Sequence, residues 1–273
     1  MAHNLNTVDT LLDEITQCEL LESCKSGRLG SCSRIVDVQS GRSLAQHQVP
    51  EPWTGDLENA RIIFIGSNPS ISDDEDYPLW GDEFERRESF FVHRFGVGDG
   101  QIKNGMYPPL KGGGHGKAVR FWSSVRQRAF EVLPTAVPGV DYALTEVVHC
   151  KSRSEIGVRE ARSTCTARYL PRIIEAASNA RLFVVFGVHA ARALSELFAL
   201  ELDTNHRLGE ISRGDSTVPV VYLDHPAGGG KVKRLATALT TEELASVATR
   251  VAQARPDGLT DTPREHFALH VAG

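Results

Sequence analysis

No stretch of this 273-residue chain approaches the roughly 18 consecutive apolar residues of a membrane-spanning helix. That excludes a helical membrane protein. The first twenty residues carry acidic and polar side chains where a secretory leader is basic and then apolar, so the chain reads as cytoplasmic. An excess of positive charge is also missing. Thirty Lys and Arg stand against 35 Asp and Glu, a net charge of -5, so any nucleic-acid binding must come from local patches rather than a global field. Cysteine is sparse, five in all, and in a cytoplasmic chain such residues read as thiols or metal ligands before structural disulfides. Cys18, Cys24 and Cys32 cluster near the N-terminus, while Cys150 and Cys165 lie far away with fourteen residues between them. Four of them close one site only if the fold joins the two groups. There is no internal repeat.

What is present suffices for a full core, with 41% hydrophobic residues. We read one domain over residues 1–255, with an insertion at 73–117 and a tail at 256–273. Apolar residues at helical spacing predict helices over 8–24, 118–132, 158–178, 189–199 and 241–254. Continuous apolar runs predict four strands, at 61–65, 144–148, 182–186 and 218–223. Strands alternating with helices imply a three-layer α/β/α architecture around a parallel-rich four-stranded sheet. The segment 34–60 reads as irregular, and so does the charged, aromatic and Gly-rich stretch from Asp73 to Lys117.

The organising stretch is Ile62-Ile-Phe-Ile-Gly66-Ser-Asn-Pro69, a buried strand that stops at a glycine and passes into turn chemistry. Ligands of open α/β sheets bind at the carboxyl ends of strands. Asn68, Glu146, His149 and His225 all fall at such ends, so they are expected to converge on one pocket.

Three separated segments carry a resemblance to a known family. Asn59 to Ser70 resembles the strand and turn that open the first motif of the uracil-DNA glycosylase superfamily, written G-E-A-P-G in its iron-sulfur family 4 branch and G-x-N-P-G or G-Q-D-P-Y elsewhere. Thr145-Glu-Val-Val-His-Cys150, followed by Cys165 and Tyr169-Leu170, is similar to the T-N-V-V-K-C segment of that branch and its later cysteine. Leu182 to Gly187, with His225-Pro226, resembles the strand and H-P-S motif that follow. The segment from Asp73 to Lys117 falls outside the match.

The resemblance implies hydrolysis of the bond between a base and deoxyribose on a nucleotide flipped out of DNA, without a lyase step. No membrane partner is expected, and no obligate protein partner is evident. Asn68 stands where many members position the attacking water, with Ser67 beside it at the base, and His225 is expected to donate to the base oxygen that gains charge. Phe84, Phe90 or Phe91 of the insertion either stack on the flipped base or simply pack in the core. Gly228, Gly229, Lys231, Lys233 and Arg234, after His225, read as a close-approach loop for DNA phosphates or as a plain flexible loop. Cys24, Cys32, Cys150 and Cys165 are the expected ligands of a 4Fe-4S cluster, with Cys18 spare.

Glu146 departs from the family pattern, which has an Asn that reads uracil. An ionised carboxylate only accepts hydrogen bonds, so facing uracil it sets oxygen against oxygen at a cost of about 1–3 kcal/mol. Facing the exocyclic amine of cytosine it is well matched. The expected substrate is therefore an amine-bearing base such as a modified cytosine, with hypermodified viral DNA and an antiviral defence role as one setting. The alternatives are a protonated Glu146 that accepts uracil in base excision repair, and an inactive DNA-binding relative.

Overall fold

A computed structural model describes residues 7–96, 101–213 and 216–253; the expected tail at 256–273 lies outside the described residues. In chain order the elements are α1 (Thr7–Thr16), α2 (Glu19–Lys25), α3 (Ser33–Val36), β1 (Trp53–Thr54), β2 (Ile62–Gly66), α4 (Phe84–His93), α5 (Arg120–Val132) and β3 (Tyr142–Glu146). There follow α6 (Val158–Ala176), β4 (Leu182–Phe186), α7 (Gly187–Phe198), β5 (Leu208–Arg213), β6 (Ser216–Leu223), α8 (Leu235–Ala238) and α9 (Thr241–Ala252).

The sheet runs β1-β3-β2-β4-β6-β5. Its four central strands are parallel, as the four apolar runs predicted, and each edge carries one short antiparallel strand that the sequence did not signal. The apolar runs are continuous because both faces are covered. Ile63, Ile65, Phe183 and Val185 pack on the side of α1, α6 and α7, whereas Ile62, Phe64, Leu182 and Val184 pack on the side of α5 and α9. Successive residues of a strand point to opposite faces, so one strand feeds both cores.

The chain leaves central β2 to lay β3 on one side, then crosses to lay β4 on the other. That reversal makes the carboxyl end of β2 the topological switch point, where an open α/β sheet has its crevice. Two details differ from expectation. The predicted helix over 8–24 is broken into α1 and α2 at Gln17 and Cys18, where Cys18 takes an extended ψ of 116°. The stretch 73–117 is not wholly irregular, since it contains α4, whose buried face holds Arg87 as well as Phe91.

Candidate active site

A cleft of about 690 Å³ opens along the carboxyl edge of the sheet. Four strand tips supply its floor. Ser67 and Asn68 follow β2, Glu146 ends β3, Gly187 follows β4, and His225 follows β6, all of them lining this one space. The convergence read from the sequence thus holds for Asn68, Glu146 and His225. His149 does not join them, because its ring is buried with Nδ1 2.7 Å from the Glu51 carbonyl and lies toward the cysteines instead.

Asn68 is held by its own turn. Its Nδ2 donates to the Pro69 carbonyl at 2.9 Å, which leaves the amide oxygen to accept from a water. The turn is tied down because Val147 and Val148 donate to the carbonyls of Gly66 and Ser67, continuing the ladder between β2 and β3 beyond the strand ends. Glu146 lies against Gly66, and a Cβ there would stand 2.2 Å from Oε2. Glycine is therefore required at 66 for the Glu146 carboxyl to sit where it does. Oε2 of Glu146 and Oγ of Ser67 are buried without a hydrogen-bond partner among the described residues.

His225 is placed by two contacts. Its ring lies parallel to Phe121 with centroids 5.7 Å apart, and its Nδ1 accepts from the Ala227 N–H at 3.3 Å. That bond puts the proton of a neutral ring on Nε2, as a donor. Burial lowers the ring below its ordinary value of 6.5, with Lys233 adding to the shift against Glu155, so it is neutral at physiological pH. Asp224 closes the following loop, accepting from Val232 N–H at 2.9 Å and from Arg207 at 3.0 Å.

Within that loop Gly228 lines the cleft and Gly229 is exposed beside it. Lys231 and Arg234 are exposed. Lys233 is bound to the loop itself, donating to the carbonyls of Pro226 and Gly228 at 2.9 and 2.7 Å. Its ammonium shapes the loop, so it is not a free phosphate contact in this arrangement.

The insertion does build one wall of the cleft, but with charges rather than phenylalanines. Phe91 is fully buried, Phe84 and Phe90 pack against the same core, and none of the three lines the cleft. Helical geometry explains this, because α4 turns Phe91 toward the core and locks it edge-on to Tyr77 and Phe90. The aromatic surfaces at the cleft are Phe121 and Trp122 at the start of α5. Arg94, with Glu75 from the insertion, joins Glu51 and Lys151 in a buried ionic layer. Lys151 sits 3.4 Å from the centre of the Tyr77 ring, and burial lowers its ammonium to about 8 against the pull of Glu51 and Glu75. Sequence reasoning missed Phe121, Trp122, Glu51, Glu75, Arg94 and Lys151. Their only signal was an aromatic pair opening a helix.

The two cysteine groups do meet. Cys18, Cys32, Cys150 and Cys165 line one small void with Ile15, Leu21 and Tyr169. Cys18, expected to be spare, stands at this void in place of Cys24. Cys18, exposed inward by the break between α1 and α2, lines the void; Cys24, at the far end of α2, is half-buried with its Sγ 3.7 Å from Ser33 Oγ. Burial pushes the thiols of Cys32, Cys150 and Cys165 up, with neighbouring sulfurs adding to the shift. Among the described residues no three cysteines close to the spacing that a single ion needs. A convergent all-thiol donor set spread around an apolar void fits an iron-sulfur cluster better than one ion.

A sequence model of the family described as the uracil DNA glycosylase superfamily matches residues 52–245. The match spans more than two thirds of the chain and includes Asn68, Glu146, Cys150, Cys165 and His225, but begins after Cys18, Cys24 and Cys32. No curated protein matches the chain. No helix among the described residues is long and apolar enough to cross a membrane.

Proposed function

Because the chain belongs to the uracil DNA glycosylase superfamily, whose members act on DNA, we propose that it hydrolyses the N-glycosidic bond of a flipped-out, amine-bearing base. A modified cytosine is the first candidate. The observation that carries this reading is the carboxyl of Glu146 in the cleft, with a buried oxygen that has no hydrogen-bond partner among the described residues. A buried polar atom without a partner costs about 1–3 kcal/mol, so the site is built for a group not present in the protein itself. An exocyclic amine supplies the missing donor. Unmodified cytosine as a target would destroy the host's own DNA, so a modification must be selected for. Hypermodified viral DNA meets that condition and would make the protein a defence factor.

His225 donates from Nε2 to the base oxygen on which charge develops, and Asn68 orients the water that attacks the sugar. Water is the nucleophile because Lys151, the lysine lining the cleft, is held under Glu51 and Tyr77. The product is an abasic site without strand cleavage. One observation favours a second reading. Burial, reinforced by Glu51 and Glu155, raises the Glu146 carboxyl well above its ordinary value, and a neutral acid pairs with uracil as well. Excision assays on duplexes carrying uracil, cytosine, and 5-hydroxymethylcytosine bare or bulkily substituted on its hydroxyl separate the readings. Release of a modified cytosine is expected, release of uracil alone supports the second reading, and no release from any duplex leaves a DNA-binding relative.

We also propose that Cys18, Cys32, Cys150 and Cys165 hold a 4Fe-4S cluster. Bound there, the cluster would clamp the N-terminal helices to α6 through Cys18, Cys32 and Cys165 and would take no part in base release. Purified protein is expected to carry iron and sulfide with a visible absorbance bleached by dithionite. Cys18→Ser is expected to lose most of that iron and Cys24→Ser to keep it; the reverse order would return Cys24 to the ligand set.

A further inference from the structure

We propose that Glu146 enters the reaction as a neutral carboxylic acid and passes its proton to N3 of the cytosine ring as the glycosidic bond breaks. The inference rests on the reading that the substrate base carries an amine. The geometry comes first. Glu146 is only 7% exposed, its carboxyl is packed on the Cα of Gly66, and its Oε2 faces no donor among the described residues. Among the described residues, the two cations lining the cleft are both paired elsewhere. Arg94 is committed to Glu51 and Glu75 at 3.0 and 2.5 Å, and Lys151 to Glu51 and the Tyr77 ring.

The other titratable groups lining the same cleft are Glu155 before α6, His189 on α7 and His225 after β6. Glu51 and Glu155 repel a charge on Glu146, while Lys151 alone opposes them. With burial the larger effect, the carboxyl stays protonated well above its ordinary range. The unpartnered oxygen is thus one end of an acid that can donate through one oxygen and accept through the other.

Such an acid, laid flat on the Watson–Crick edge, accepts from the exocyclic amine and donates to N3. An Asn at this position would make two hydrogen bonds as well, but it cannot release a proton. That difference matters for one class of base. Uracil leaves as an anion shared between two carbonyl oxygens, whereas cytosine has an amine in place of one of them and leaves poorly unless N3 is protonated. In the proposed step the electron pair of the N1–C1′ bond passes to N1 and the Glu146 proton passes to N3. The base departs as a neutral tautomer. The sugar cation takes the oxygen of the water held by Asn68, and the proton released from that water restores Glu146 through solvent. All charges balance, and no further reagent is needed.

Glu146→Gln keeps the donor and acceptor and removes only the transferable proton. On a 5-hydroxymethylcytosine duplex, or the bulkier derivative that the parent releases, binding is expected to stay within about threefold while single-turnover release falls by about 10²–10⁴-fold. The ratio of uracil release to cytosine-type release should rise at least tenfold. The parent's rate is expected to decline on the alkaline side, a limb measurable without any variant. The acid's folded-state value lies above its unfolded one, so the parent loses stability as pH rises. The melting temperature of Glu146→Gln relative to parent should therefore climb between pH 5 and pH 8. A variant that releases the modified base within threefold of parent, or a flat parental profile from pH 5 to 9, overturns the proton transfer and leaves the substrate reading standing. A parent that releases uracil alone overturns the substrate reading beneath it.

Discussion

Replacing His225 with alanine is expected to lower the single-turnover rate of base release by about 10²–10³-fold, the usual cost of deleting one preorganised donor to a developing anion. Duplex binding is expected to change little, because in the proposed complex the ring would meet the base rather than the phosphates. The size of the effect follows from how completely the ring is fixed. Phe121 lies parallel to one face and the Ala227 N–H holds Nδ1, so on the proposed reading Nε2 would meet the base already in the donor tautomer. Asn68→Ala should produce a loss of similar order by a separate route, since it removes the amide, held by the Pro69 carbonyl, that is proposed to orient the water. Chemical quench on the modified duplex measures both, with filter binding as the control. A His225→Ala rate within tenfold of parent would show that another group carries the charge on the leaving base.

Much of the frame that positions these residues is legible in the chain because the central strands are buried on both faces. Burial on two faces leaves a continuous apolar run, and glycine or a polar turn marks where each run stops. The edge strands gave no such mark. In β5 only Ile211 is buried, and its pairing with β6 rests on backbone hydrogen bonds that leave no trace in side-chain chemistry. Helix α4 was hidden for a related reason. One residue of its inward face is Arg87, paired with Asp13, and a hydrophobic pattern does not see a buried cation. The same limit applies to the cleft wall, where Glu51, Glu75, Arg94 and Lys151 lie far apart in the chain and meet only in three dimensions. Glu146 shows the limit most clearly. Its position was readable, but the upward shift of its carboxyl comes from burial, reinforced by Glu51 and Glu155, which no local reading places beside it.

That ionic wall yields the largest expected change in stability. Arg94→Met keeps most of the side-chain volume but strands two carboxylates, Glu51 and Glu75, whose partner is 2% exposed and stacked against Phe90 and Trp122 at 4.9 Å each. Breaking a buried pair from one side costs about 3–5 kcal/mol, because the remaining charge is left in a medium that solvates it poorly. For a chain of this size that is a fall in melting temperature of roughly 10 °C. The pH dependence identifies the cause. Burial alone would raise the Glu51 carboxyl, yet Arg94 and Lys151, with hydrogen bonds from Thr54 and Tyr77, hold it below its ordinary value of 4.5. In the parent its contribution is present above that value and lost as pH falls through the lower folded-state one. Without Arg94 the burial effect is less opposed and Glu51 is driven toward its protonated form. The variant's deficit should then be greatest near pH 7.5 and narrow toward pH 5, where taking up a proton relieves the stranded charge. Urea unfolding at the two pH values measures it. A deficit below about 1 kcal/mol at both, in the range of an exposed pair, would show that the layer is solvated and does not hold the cleft wall in place.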